Sequence, residues 1–182
     1  MSARSAQKDR GIDLAPYAWE ADPVALAKRP DVDIFVELMG GHEGPAKEAT
    51  EAALNAGKDV VTANKALLAH HGQKLAEKAE NGGKVLRFEA AVAGGIPVVK
   101  ALTEGLAGND ITRILGVMNG SCNYILTRMQ TAGLSYADVF AEAEALGYLE
   151  ADPELDVGGI DAGHKLALLS SIAYGTAVNF EA

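Results

Sequence analysis

The sequence predicts an α/β protein: part of a doubly wound parallel sheet, followed by an α+β region. Between residues 33 and 89, short apolar runs rich in Val and Ile alternate with alanine-rich stretches of helical periodicity. Glycines and polar clusters mark the boundaries, as at Gly40-Gly41, Asn64-Lys65 and Gly82-Gly83. Beyond Glu89 the alternation stops. Strands separated by helices of this length need right-handed crossovers, and therefore a parallel sheet.

Residues 1–30 are polar and punctuated by Pro16, Pro23 and Pro30, so they read as a connection. The run Ile34-Phe35-Val36-Glu37-Leu38 then reads as a buried parallel strand ending at Gly40 and Gly41. Pro45 suits the first turn of a helix, Ala46, Ala49, Ala53 and Leu54 recur at helical spacing, and Gly57 suits a left-handed cap. A second strand over 59–62, an alanine-rich helix over 66–80 and a third strand over 85–89 complete the alternating part. After it, Gly94-Gly95-Ile96-Pro97 leads into a helix reaching Leu106, and residues 111–118 read as a strand. Helices follow over 119–129 and 135–146, the latter opened by the capping pair Ser135 and Asp138 and closed by Gly147. A polar loop over 150–156 precedes a final helix over 160–174.

Composition narrows the function classes. The formal charge of -9 argues against nucleic acid, because phosphate binding needs clustered Lys and Arg. Cys122 is the one cysteine and cannot form an internal disulfide. No apolar run approaches the ~18 residues of a membrane span, and no basic-then-apolar leader opens the chain, so the expectation is a cytoplasmic protein.

Several residues could carry chemistry. Asp161 and Lys165 stand one helical turn apart on the final helix, so they share a face. An ammonium held beside a carboxylate can give a proton to a carbonyl oxygen that is gaining charge; the same spacing also suits an exposed helix ion pair. Upstream, Glu150, Asp152, Glu154 and Asp156 form an acidic loop that could face a ligand's ammonium group or only solvent. Lys65 follows Thr62-Ala63-Asn64 at the carboxyl end of a parallel strand, the edge where open α/β sheets bind ligands. Glu89 and the turn through Gly94-Gly95-Ile96 could aim a carboxylate and backbone oxygens at a hard cation, or supply only a tight turn. His42, His70, His71 and His164 lack zinc-like spacing and receive no catalytic role, and Cys122 suits a small buried residue.

Taken in order, six segments resemble homoserine dehydrogenase: Val36-Glu37-Leu38-Met39-Gly40-Gly41, Thr62-Ala63-Asn64-Lys65, Glu89 through Pro97, Asn119-Gly120-Ser121-Cys122-Asn123-Tyr124-Ile125-Leu126, Leu146-Gly147-Tyr148-Leu149-Glu150-Ala151-Asp152-Pro153, and Asp156 through Lys165. The resemblance runs from about Val32 to near the end of the chain. It implies a partial NAD(P)-binding, Rossmann-like domain over 1–90 and an incomplete catalytic and dimerisation domain over 91–182. It further implies interconversion of L-homoserine and L-aspartate 4-semialdehyde with NAD(P), in threonine, methionine and isoleucine biosynthesis, by a homodimer. In that resemblance Lys165 matches the catalytic proton donor. Glu150 and Asp161 match residues that bind the amino acid, with Asp156 in support. Lys65 matches a lysine at both cofactor and substrate, Gly147 a backbone contact to the nicotinamide end, and Glu89, Val92, Gly94 and Ile96 a sodium site, the last three through backbone oxygens.

The sequence also departs from the family. Two threonines commonly stand where it has Ser121 and Cys122. A strand running into G-x-G-x-x-G, which would hold a pyrophosphate at a helix start, is not found, and the chain stops before the family's usual closing part. The expectation is therefore a truncated piece, whose rivals are an inactive folding or oligomerisation unit and an oxidoreductase of another amino-acid semialdehyde. Arg4, in place of an acid near a strand end, tilts the cofactor expectation toward NADP.

Overall fold

The computed structural model describes residues 1–149 and 152–181. A three-stranded parallel sheet is built from β1 (Ile34–Glu37), β2 (Asp59–Thr62) and β3 (Leu86–Arg87), in that spatial order. Ile34 pairs with Asp59, Glu37 with Thr62, and Val60 with Leu86. The crossovers carry α2 (Pro45–Asn55) and α3 (Lys65–Asn81). Because both connections step the same way across the sheet and share one hand, both helices lie on one face. Against that face pack Phe35, Val60, Leu67, Leu68 and Leu75, all nearly without solvent contact.

The single covered face corrects the expectation of a strand buried on both sides. Along β1, Phe35 is 4% and Glu37 0% exposed, whereas Ile34 and Val36 are each 56% exposed. Side chains alternate across a strand, so every second residue points away from the helices.

Before the sheet, part of the expected irregular connection is helical: α1 (Pro23–Lys28) starts at Asp22, whose side chain accepts a hydrogen bond from the Val24 amide, with proline at the first position. After it, β3 is shorter than expected. Glu89 opens α4 (Glu89–Val92) instead, and its carboxylate accepts from the amides of Val99 (2.7 Å) and Lys100 (2.9 Å). That bond folds the chain back at the point where a strand would have continued. The following helix, α5 (Val98–Lys100), widens into a π turn over Ala101–Gly105.

Residues 111–118 are not a strand among the described residues. Leu115 and Val117 are 78% and 73% exposed, and a strand exists only where a neighbour accepts its ladder of hydrogen bonds. The remaining elements are α6 (Gly120–Ala132), α7 (Tyr136–Ala145), α8 (Glu154–Val157), which lies within the expected acidic loop, and α9 (Ile160–Tyr174), which matches the predicted final helix.

The two halves of the chain share a core. Leu168 and Leu169 of α9 belong to the same buried cluster as Phe35, Val60 and Leu75, while Ile125, Val139 and Ala143 join α6 to α7 separately. Among the described residues no helix is long and apolar enough to cross a membrane. Truncating Leu168 to alanine should lower the free energy of unfolding by about 2–5 kcal/mol, the usual cost of a large-to-small change in a packed core. Urea unfolding followed by circular dichroism measures it, and a loss near zero would detach α9 from the sheet's core.

Candidate functional site

Four chain segments meet around Asp161. Its carboxylate, on the first turn of α9, has a side chain only 4% exposed. Oδ2 accepts a hydrogen bond from Lys165 Nζ at 2.8 Å and from Asn119 Nδ2 at 3.0 Å, and Oδ1 lies 3.0 Å from Lys65 Nζ. Asn119 Nδ2 also donates to Asp156 Oδ1 at 2.8 Å. Lys165 Nζ donates a second bond to the Met118 carbonyl at 2.9 Å. Residues distant in sequence, from α3, the turn before α6, α8 and α9, are thus joined by hydrogen bonds to charged groups, each stronger than a neutral bond.

Each of these side chains is presented by a local device. Lys65 opens α3, whose N-cap is Asn64: its Oδ1 accepts from Leu67 N at 3.0 Å, while its Nδ2 donates to the Gly41 carbonyl at 2.7 Å. Asn64 is in turn held by Thr62, whose hydroxyl accepts from the Asn64 amide at 3.0 Å and donates to Glu37 Oε2 at 2.6 Å. Glu37, fully buried, also accepts from Met39 N at 2.5 Å. A buried carboxylate at the end of β1 therefore ties the Gly40-Gly41 turn to the strand end that carries Lys65. Gly40 and Gly41 have φ of 82° and 79°, which a side chain would strain, so the turn needs glycine at both positions.

On the opposite side, Asn119 is the N-cap of α6, accepting from Cys122 N at 2.8 Å. Ser121 donates its hydroxyl to the Tyr148 carbonyl, tying α6 to the segment that follows Gly147. The Cys122 thiol sits 3.2 Å from the Asp156 carbonyl and donates to it. Burial and the nearby charges of Asp156 and Asp161 push that thiol up, so it stays protonated and serves as a donor where a nucleophile is not expected.

Electrostatics at Asp161 set two effects against each other. Burial pushes its carboxyl up, but the hydrogen bonds from Lys165, Asn119 and Lys65 together prevail and hold it below its usual value of 3.8. It is therefore an anion at neutral pH, and it keeps two lysines close. Lys165 has two of its three N–H bonds taken by Asp161 and Met118; among the described residues the third has no acceptor. The Lys165 side chain is 21% exposed. The arrangement can deliver a proton to an oxygen developing negative charge at an open edge.

Of the residues read from sequence, the structure gathers Lys165, Asp161, Asp156 and Lys65. Glu150 lies outside the described residues. Gly147, with φ 72°, follows the end of α7. Glu89, Val92, Gly94 and Ile96 form a separate turn around α4, where Ala93 N donates to the Glu89 carbonyl at 3.0 Å. Sequence reasoning named Asn119 only as part of a motif and gave Glu37 no role. An asparagine before a helix reads as a cap, and nothing in its neighbours announces contacts 37 and 42 residues away.

Histidines from three parts of the chain, His42, the adjacent His70 and His71, and His164, also converge beside this cluster. His42 stacks on His70 with ring centroids 4.3 Å apart, His164 meets His70 edge-on at 5.6 Å, and Phe180 lies 4.3 Å from His164. His164 is buried, and its Nε2 has no hydrogen-bond partner among the described residues. Among those residues no His, Cys, Asp and Glu side chains group to hold a metal.

Burial, then His70 and Lys65, lower the His164 pKa, with Asp161 opposing; burial and His42 lower that of His70, with Glu181 and Glu43 opposing and His71 assisting. A folded-state value below the ordinary 6.5 means that the unfolded chain binds more protons in between. Stability is therefore complete above 6.5 and falls as pH is lowered through that value toward the depressed ones. Chemical-denaturation midpoints across this window should show the decline, and substituting leucine at His164 should flatten it; a profile that stays steep would assign the effect to other groups.

With this geometry in view, comparison with known proteins is specific. Residues 97–182 match the family model described as homoserine dehydrogenase, and residues 2–89 match the one described as homoserine dehydrogenase, NAD binding domain. A homoserine dehydrogenase from Neisseria gonorrhoeae is 53% identical over 176 residues, which is 96% of this chain and 40% of that relative. The crystal structure of a homoserine dehydrogenase from Thiobacillus denitrificans superposes with a TM-score of 0.92 at 46% identity, covering 99% of this chain and 41% of the other. A hyperthermophilic archaeal homoserine dehydrogenase in complex with NADPH superposes with a TM-score of 0.81 at 35% identity over 88% of this chain and 50% of its own. The chain thus spans about 40% of the length of the curated relatives it matches.

Proposed function

Because the chain belongs to the homoserine dehydrogenase family, we propose that it carries the substrate-side chemistry of the NAD(P)-dependent interconversion of L-homoserine and L-aspartate 4-semialdehyde. The observation that carries this reading is the Lys165 ammonium, held by Asp161 at 2.8 Å and by the Met118 carbonyl at 2.9 Å with one proton unclaimed among the described residues.

In the reductive direction Lys165 gives that proton to the aldehyde oxygen as it becomes an alkoxide; in the oxidative direction the alcohol's proton returns to it. Asp161 holds and directs the ammonium. Lys65, on the other oxygen of the same carboxylate, adds positive charge at the strand edge, where it suits a substrate carboxylate or a cofactor group. Glu150 and Asp161 supply the carboxylates that an α-ammonium group needs, with the buried Asp156 in support.

The residues present fit the nicotinamide end of a dinucleotide. The Gly40-Gly41 turn stands at the carboxyl end of β1, with no neighbour crowding a side chain at Gly40, and Lys65 opens α3 just beyond the end of β2. When bound, NADP or NAD supplies or accepts the hydride. The NADPH held by the archaeal relative supports the phosphorylated form. A sodium ion at Glu89, Val92, Gly94 and Ile96 fits in kind, since every donor is a hard oxygen and a carboxylate that accepts two amides keeps further lone pairs. The division at about residue 90 agrees with the two family matches, which meet between 89 and 97. A cytoplasmic homodimer serving threonine, methionine and isoleucine synthesis completes the reading.

In the full-length context of its relatives, Lys165→Ala should reduce kcat for homoserine oxidation by about 10²–10⁴-fold while the fold persists. NADPH absorbance follows the reaction and circular dichroism the fold. A variant with nearly normal kcat removes Lys165 from the mechanism. For this chain itself, calorimetric titration with NADP separates a cofactor-binding unit from one that only folds or assembles.

A further inference from the structure

Asn119 is a neutral side chain that links the two buried aspartates, and it makes three contacts to three elements. Both N–H bonds of its amide are engaged, one with Asp156 Oδ1 on α8 at 2.8 Å and one with Asp161 Oδ2 on α9 at 3.0 Å. Its Oδ1 caps α6 through Cys122 N at 2.8 Å. Only a primary amide offers two donors and an acceptor in so small a group. Aspartate in its place could cap the helix but would set a third anion against two others, and serine could cap it but has one short donor.

The neighbouring residue completes the arrangement. Lys165 Nζ lies between the Met118 carbonyl and Asp161 Oδ2, and Met118 directly precedes Asn119. Residues 118 and 119 therefore hold both ends of the lysine's cradle: the backbone provides one acceptor, and the Asn119 amide fixes the position of the other. Without that amide, Asp161 Oδ2 keeps only Lys165 among the described residues and could turn with it, and the hydrogen-bonded link between Asp156 and Asp161, 2% and 3% exposed, would be lost.

We propose that Asn119 is a positioning residue of this site, whose amide joins Asp156 to Asp161 and so sets the direction of the Lys165 ammonium. The proposal rests on the assignment of Lys165 as proton donor, and it adds a residue that touches neither substrate nor reacting atoms.

The test compares Asn119→Ser and Asn119→Asp, both of which keep a cap acceptor for α6. In this chain, carboxyl carbon NMR should show the Asp161 titration moving up in the serine variant and further in the aspartate variant, with helicity and thermal midpoint close to the parent's. In the full-length context, kcat should fall by about tenfold or more, the effect of losing one hydrogen bond to a charged group, with a smaller change in KM. An Asp161 titration that stays in place in both variants overturns the proposal, as does loss of α6 without a titration shift, since either leaves Asn119 a helix cap alone. Absence of homoserine turnover in the parent protein would instead dismiss the role of Lys165, and the NMR titration would still judge the link between the aspartates.

Discussion

A carboxylate withdrawn from water has to be neutralised and hydrogen-bonded, and much of this site follows from how Asp161 meets that demand. Its side chain is 4% exposed, and a bare charge there would cost several kcal/mol. Two lysines and an asparagine satisfy it. Because those partners come from α3, α9 and the turn before α6, satisfying one anion holds together elements that the chain order keeps apart. The same bonds hold the Lys165 ammonium in place while one of its three protons has no acceptor among the described residues.

A second buried carboxylate does comparable work at the sheet. Glu37 joins the end of β1 to Thr62 at the end of β2 and to the amides of the glycine turn. Asn64 then passes that order to the first turn of α3, where Lys65 begins. Lys65 thus reaches Asp161 from a strand end that is itself tied down, so the α/β half and the α+β half meet at a rigid point. The shared apolar core of Phe35, Val60, Leu75 and Leu168 supports the meeting from below.

Much of this was legible from the amino-acid order because the signals are local. Proline and alanine spacing marked α2, a serine before Tyr136 marked the start of α7, and α9 agrees with its prediction at both ends. Asp161 and Lys165 were paired from helical spacing alone, and the structure places them 2.8 Å apart. The failures are pairings. Residues 111–118 have the composition of a strand, yet strand formation depends on a partner, and none accepts them among the described residues. Glu89 could have ended a strand, but its carboxylate found two amides ten and eleven residues on and began a helix.

The sequence by itself determined the class of fold, the approximate bounds of α2, α3, α7 and α9 and the identity of the charged residues, since propensity, capping and periodicity act over a few residues. Only the tertiary structure decided which face of β1 is covered, that Glu37 organises the ligand edge, and that Asn119 bridges two aspartates. Those outcomes depend on groups tens of residues apart satisfying one another out of water, and the strength of such bonds is set by burial, which exists only once the chain has packed.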